Sequence, residues 1–171
     1  METSEIVTTV EGDKLVVKIK GFISETSELF SLDLSPYREV VLDFEETSFI
    51  NSLGIRLWME WFKSDKVPVS TQVRLINCVP SLVSQFNMVK GFISDNCSVE
   101  SIYANYYIED SAQERKILLI KGKDFEPEKD GQEGWVKIQE EIDTQDGEEL
   151  VLDTIKEKYF SFLGKVKFIE S

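Results

Sequence analysis

The stretch from Glu39 to Phe62 limits the fold more than any other part of the chain. Glu39-Val40-Val41-Leu42-Asp43-Phe44 is a short continuous apolar run with acidic residues at its borders, the pattern of a strand buried on both faces. A few residues later Phe49-Ile50 leads into the small polar step Asn51-Ser52-Leu53-Gly54, and then into a segment loaded with aromatic residues. From Ser52 to Lys63 the apolar residues Leu53, Leu57 and Trp61 recur at helical spacing, with Ile50 leading in and Trp58 and Phe62 widening the face. The spacing predicts a helix whose buried stripe is Leu53, Leu57 and Trp61. A covered strand passing directly into an amphipathic helix calls for a sheet with a crossover helix.

The flanking sequence supplies the other layers. Period-two runs at Glu5 to Val10 and Lys14 to Ile19, joined by Glu11-Gly12-Asp13, predict an opening hairpin. Beyond Gly21, the polar segment Ser24 to Ser31 has room for a short helix. Gln72 to Cys78 reads as another strand. Pro80 opens a second helix with Leu82, Val83, Phe86 and Val89 on one face, and Gly91 stands at its stop. Strand character resumes at Val99 to Tyr103. This alternation predicts an α/β layer structure, a mixed sheet of about four or five strands with crossover helices starting near Ser52 and Ser81.

Composition narrows the function. The 171 residues are 42% hydrophobic and 11% aromatic, enough for a real core. Thirty-two acidic against 19 basic side chains give a formal charge of -13, a field that repels phosphate backbones and anionic lipids, so no nucleic acid is expected as partner. The chain has no histidine. That removes the commonest general base and metal ligand and rules out a Ser-His-Asp triad, and no Gly-x-Ser-x-Gly elbow surrounds Ser52. The expectation is a protein that is not an enzyme and carries no cofactor or metal. No apolar run approaches the roughly 20 residues of a membrane span. Met1-Glu2-Thr3-Ser4-Glu5 lacks the basic and apolar regions of a signal peptide, so a cytoplasmic location is expected, with Cys78 and Cys97 as reduced thiols.

Within the polar step, Asn51 is a preferred N-cap residue, because its side-chain oxygen can accept an orphan amide hydrogen of the first turn. Gly54 lets that turn approach a neighbouring backbone, at a cost of about 1 kcal/mol in helix propensity. Ser52 is less constrained. It is either a helix-start residue or a site for a phosphoryl group, whose charge the amides and dipole of a helix N-terminus tolerate. Trp61 belongs to the buried stripe. Trp58 borders the polar side formed by Arg56, Glu60 and Lys63 and is a candidate for a partner-facing patch.

Val40-Val41-Leu42-Asp43-Phe44, a short loop and then Phe49-Ile50-Asn51-Ser52-Leu53-Gly54-Ile55 resemble the signature of STAS domains, the fold of anti-sigma factor antagonists and of the cytoplasmic tails of sulfate transporters. In that family the step usually reads Asp-Ser-Ser-Gly or Asp-Ser-x-Gly. The likeness spans residues 4 to 103 and takes in the opening hairpin, Gly21, the strand Val73 to Cys78 and the helix running to Lys90-Gly91-Phe92. It implies a STAS-like domain over residues 1–103 and a non-catalytic bacterial signalling module. In anti-sigma factor antagonists a partner kinase phosphorylates the serine at the Ser52 position, and this breaks their complex. The resemblance therefore implies Ser52 as a phosphorylation candidate and a serine kinase of the anti-sigma type, or a phosphatase, as partner. The partner-binding set it implies is Ser24, Glu25, Asn51, Ser52, Leu53, Gly54, Arg56 and Trp58. Two positions depart from the pattern: Asn51 replaces the acidic residue before the serine, and Ser24, with Glu25 beside it, replaces an acidic residue after the second strand. An alternative implied by the same fold is a small-molecule or lipid-transport-associated binding module, with the groove beside Ser52 as its site.

Residues 104–171 change character. Tyr106 to Ile108, Lys116 to Ile120, Trp135 to Ile138 and Leu150 to Leu152 read as short strands between acidic loops, predicting a small antiparallel sheet. Residues 100 to 171 hold 18 acidic and 10 basic side chains. Two hairpins of this size are similar in outline to the zinc ribbons appended to some bacterial STAS proteins, but residues 104 to 171 contain neither cysteine nor histidine, so the outline implies a ribbon that has lost its ligands. The loop Asp124 to Glu133 lacks calcium-loop spacing and reads as solvated. Tyr106, Leu118, Trp135, Tyr159, Phe160 and Phe162 are the expected core, and 153–163 reads as a short helix with Ile155, Tyr159, Phe160 and Leu163 on one side, taking the packing role of the last helix of a STAS domain.

Overall fold

In the computed structural model, which describes residues 3–170, the chain divides into two compact units, Met1–Glu100 and Ser101–Ser171. The strand expected across Val99 to Tyr103 is split at that point: Cys97–Val99 completes the first sheet, and Ser101–Ile108 opens the second unit.

The first unit is the mixed α/β sheet that the alternation of patterns predicts. Strands β1 (Ser4–Glu11) and β2 (Lys14–Ile23) form the opening hairpin, turned by Gly12 at φ 65°. β3 (Glu39–Asp43), β4 (Thr47–Ile50), β5 (Gln72–Ile76) and β6 (Cys97–Val99) follow, in the spatial order β1-β2-β3-β5-β6. Every pairing after the hairpin is parallel. β4 takes over beside the end of β2, where the register shifts at Gly21 and Phe22. Helix α1 (Ser52–Trp61) carries the chain from β4 to β5, and α2 (Pro80–Met88) carries it from β5 to β6. Leu15, Val17, Ile19, Val40, Leu42, Val73 and Leu75 fill the sheet side of the core, and Phe44, Trp58, Leu82, Val83 and Phe86 join them from the loops and helices. On the sheet's other face Arg74 of β5 pairs with Glu39 of β3, Nε to carboxylate 2.9 Å, and with Glu100 just after β6, Nη1 to carboxylate 2.9 Å.

The buried stripe of α1 is out of phase with the expected one. Gly54, Trp58 and Trp61 point inward, while Leu53 is 47% exposed and Leu57 only half-buried. The cause is the closeness of the helix to β2: a Cβ on Gly54 would lie 2.7 Å from the Ile23 carbonyl oxygen and 3.0 Å from the Ile50 side chain. Only glycine fits at the point of nearest approach, and the residues four and seven positions on then face the core. Trp58 is consequently no surface residue. It is fully buried, stacked on Phe92 with ring centroids 4.8 Å apart and planes 11° from parallel, and its Nε1 donates to the Phe92 carbonyl at 2.9 Å.

The second unit has two small sheets, not the two hairpins of a ribbon. β7 (Ser101–Ile108) and β8 (Glu114–Ile120) join β11 (Glu141–Asp143) and β12 (Glu149–Leu152) in an antiparallel sheet ordered β11-β12-β7-β8. β10 (Gly134–Lys137) lies between β9 (Phe125–Glu126) and β13 (Val166–Ile169), and it pairs with β13 in parallel, which a ribbon hairpin does not allow. The predicted helix shrinks to α3 (Lys156–Tyr159) and a 3-10 turn at Ser161–Leu163, with Tyr159, Phe160 and Leu163 buried but Ile155 exposed. Tyr106, Tyr159, Phe160 and Leu163 are buried as expected, whereas Leu118, Trp135 and Phe162 are only half-buried, and the adjacent Leu119 and Val136 enter the core in place of the first two.

Cys78 and Cys97 are free and buried. Burial pushes the Cys97 thiol up to about 12 and raises Cys78 well above its ordinary value of 9.0. The folded state keeps protons that the unfolded chain releases, so this contribution to stability is complete below pH 9.0 and is lost as pH rises toward 12. Urea melts across that range should show a falling midpoint. A thiol reagent should label neither cysteine in the native protein and both after unfolding.

Candidate functional site

The start of α1 is built from three backbone devices. The Ile23 carbonyl accepts the Asn51 amide at 3.1 Å, which ends the sheet and turns the chain. The Asn51 side-chain oxygen then accepts the Gly54 amide at 2.7 Å, the N-cap bond expected of it. Its other end is also used: Asn51 Nδ2 donates to Glu25 Oε2 at 3.4 Å. Glu25 reaches this position from a tight turn in which the Ser24 hydroxyl accepts the Thr26 amide at 3.3 Å and bonds the Thr26 hydroxyl at 2.9 Å.

The arrangement gives physical reasons for Asn51 and Ser24 at these positions. With Glu25 at the cap, a carboxylate at position 51 would face a like charge, whereas an amide caps the helix with its oxygen and holds Glu25 with its nitrogen. Ser24 is buried and serves the turn, so it leaves the partner-facing set, as does Trp58. Gly54 is buried and acts by having no side chain. Glu25, Asn51, Ser52, Leu53 and Arg56 are brought to one end of α1. Ser52 is exposed at the first helical position, where amides lack intrahelical acceptors. Arg56 is paired with Glu60 at 3.2 Å on the open surface, a contact worth well under about 1 kcal/mol.

Two residues were missed. Phe49 on β4 is 43% exposed, and its ring lies 5.3 Å from that of half-buried Phe22 on β2. In sequence, exposed Phe49 precedes Asn51 and Ser52, and exposed Leu53 follows them. No local signal marks Phe49 as exposed, since alternation places it on the same face as Thr47, which is buried. A concavity of about 180 Å³ lies at the C-terminal half of α1, between Phe30, Leu57, Glu60 and Trp61. In the second unit, a cavity of about 400 Å³ is lined by Tyr106, Leu119, Lys123, Asp124, Lys137 and Ile142, among others. The Tyr106 hydroxyl there donates to the Gln139 carbonyl at 2.6 Å, and burial pushes its phenol up to about 12.

Among the described residues no group of three or more His, Cys, Asp or Glu is placed to hold a metal ion, and no helix is long and apolar enough to cross a membrane. No family model matches the chain, and no curated protein matches it. Among solved structures it is similar to that of the anti-sigma factor antagonist SpoIIAA in its unphosphorylated form, with 18% identity over 43% of this chain and 72% of that one and a TM-score of 0.30.

Two substitutions separate the devices at the helix start. Asn51→Ala removes the cap and should cost about 1 kcal/mol in chemical unfolding. Gly54→Ala gains about 1 kcal/mol of helix propensity but drives a Cβ against the Ile23 carbonyl, and overpacking of that kind typically costs about 1–3 kcal/mol. A net loss is expected, and a stabilised Gly54→Ala protein would show that the closeness of α1 to β2 does not set the helix phase.

Proposed function

We propose that the first unit is a non-catalytic interaction module of the anti-sigma factor antagonist type, binding a protein partner through the start of α1. The observation that carries this reading is exposed Ser52 at the first helical position, flanked by exposed apolar Phe49 and Leu53 and by Glu25 held on the Asn51 cap. A partner covering this end would bury two large apolar side chains around a hydroxyl. The mixed parallel sheet with its opening hairpin and the Asn-Ser-Leu-Gly step support the STAS-like assignment of this unit. The partner class that fits is a serine kinase or phosphatase able to receive the Ser52 hydroxyl.

On this reading Ser52 is the switch. In the free protein, a negative charge there gains about 0.3–1 kcal/mol from the helix dipole and meets the nearby charge of Glu25, so the two effects offset one another. In a complex the same charge is desolvated against the partner beside a carboxylate already at the site, and that cost dominates. Modification of Ser52 therefore dissociates the complex without unfolding the module.

The test is to capture partners with wild-type protein and to measure affinities by calorimetry, with thermal unfolding of each form alongside. Ser52→Asp should weaken binding about tenfold or more, and Leu53→Ala should cost about 1–2 kcal/mol as an apolar anchor, both with little change in melting temperature. Equal affinity for wild type, Ser52→Ala and Ser52→Asp would remove the switch, and an unaffected Leu53→Ala would move the interface away from this end of α1.

A further inference from the structure

We infer that β1 pairs with β1 of a second copy, joining two first units into one continuous sheet in a reversible two-fold dimer. β1 is a terminal strand of the sheet. Such edges are ordinarily blunted by shortness, proline, lysine or a bulge. The opposite edge, β6, follows that rule with three residues, whereas β1 has eight and an unbroken register against β2. Its centre, Ile6-Val7-Thr8-Thr9-Val10, is uncharged, and Val7 and Val10 are 41% and 58% exposed. The 3-10 turn Glu28–Ser31 approaches through side chains, with the Oγ of its cap Ser27 2.6 Å from Ser4 Oγ, and among the described residues no strand pairs with the outer edge of β1.

The strand's hydrogen-bond polarity selects the partner and the register. Glu11 and Lys14 are paired across the two-residue loop Gly12-Asp13, so Glu11 belongs to a hydrogen-bonded pair with β2. By alternation Val7 and Thr9 also bond inward, and the main-chain groups of Ser4, Ile6, Thr8 and Val10 point out of the sheet. An antiparallel copy placed on a two-fold axis at Val7 sets Ile6 against Thr8 and Ser4 against Val10, so that outward groups meet outward groups. The two Val7 side chains then form the close non-hydrogen-bonded pair, and Glu5 faces Thr9. A shift by one residue matches outward with inward groups and interchanges the sheet faces. A shift by two, with the axis at Thr8, opposes Glu5 to Glu11 of the second copy, a like-charge pair. A shift by two the other way, with the axis at Ile6, keeps the polarity but pairs only residues 4–8, so the register at Val7 is the longest that is self-complementary in hydrogen bonding, face and charge.

An edge joint of this length is at the small end of specific interfaces, so the dimer is weak. Each copy carries a formal charge of -13, so added salt strengthens it by screening. Sedimentation velocity of the full chain over a concentration series, at low and high salt, should show a monomer–dimer equilibrium shifted to dimer by salt. Hydrogen exchange should show the Ile6 and Thr8 amides slowing with concentration while that of Val7 is unchanged. Val7→Lys places two ammonium groups face to face at the axis and should raise the dissociation constant about tenfold or more. Thr8→Pro removes an outward donor that the hairpin does not use and should do the same. Circular dichroism confirms folding of both, and Val7→Lys, on an exposed site, decides if the proline variant fails to fold. Wild type that remains monomeric up to about millimolar concentration, leaving the edge to another protein's strand, overturns the proposal, and so does a dimer that both folded variants leave unchanged.

Discussion

The contact between Gly54 and the Ile23 carbonyl sets the geometry of the first unit. That carbonyl terminates β2, receives the Asn51 amide and lies directly under the first turn of α1. Because the helix starts one residue after β4 ends, there is no slack in which it could rotate. Its rotation is fixed by the only residue small enough for the tightest place, and from that follow the inward tryptophans and the outward Leu53. A helix lifted off by the width of a methyl group would lose the packing of Trp58 against Phe44 and Phe92.

The same constraint builds the surface on which the proposed function depends. An idealised amphipathic helix would have buried Leu53 and Leu57 and presented only polar groups. Here the inward phase is taken by a glycine and two indoles, and a leucine is left outside next to a serine and an exposed phenylalanine. The asparagine cap contributes twice, ordering the first turn and holding a carboxylate beside it. Charge, apolar area and a hydroxyl are thereby gathered by elements that the fold requires in any case.

Element type was well legible in the sequence, and facing was not. The hairpin, the buried run Val40 to Leu42 and the two helix starts follow from period, caps and turn residues. The errors share one form: in α1 the stripe is rotated, and in the second unit Leu119 and Val136 take the places expected of Leu118 and Trp135. In each case two adjacent apolar residues compete for one inward position, and the larger aromatic or the better heptad match is not what decides. A close backbone approach or a strand register does, and both are long-range. The parallel pairing of β10 with β13 was out of reach for the same reason, since nothing local links Gly134 to Val166. At the site, Ser52 and Asn51 were read from the motif, whereas the bond from Asn51 to Glu25 spans 26 residues and had no sequence signature.

The paired indoles have an optical consequence. Trp58 and Trp61 lie 6.0 Å apart with their planes at 68°, inside one rigid cluster, and the remaining tryptophan, Trp135, is in the second unit. Two transition dipoles so close and so inclined couple, giving the first unit a near-ultraviolet circular dichroism that depends on the phase of α1. The second unit contributes a single indole. The chain therefore contains a built-in pair of reporters, and in a Trp135→Phe protein the indole emission excited at the red edge, where tyrosine does not absorb, records the first unit alone.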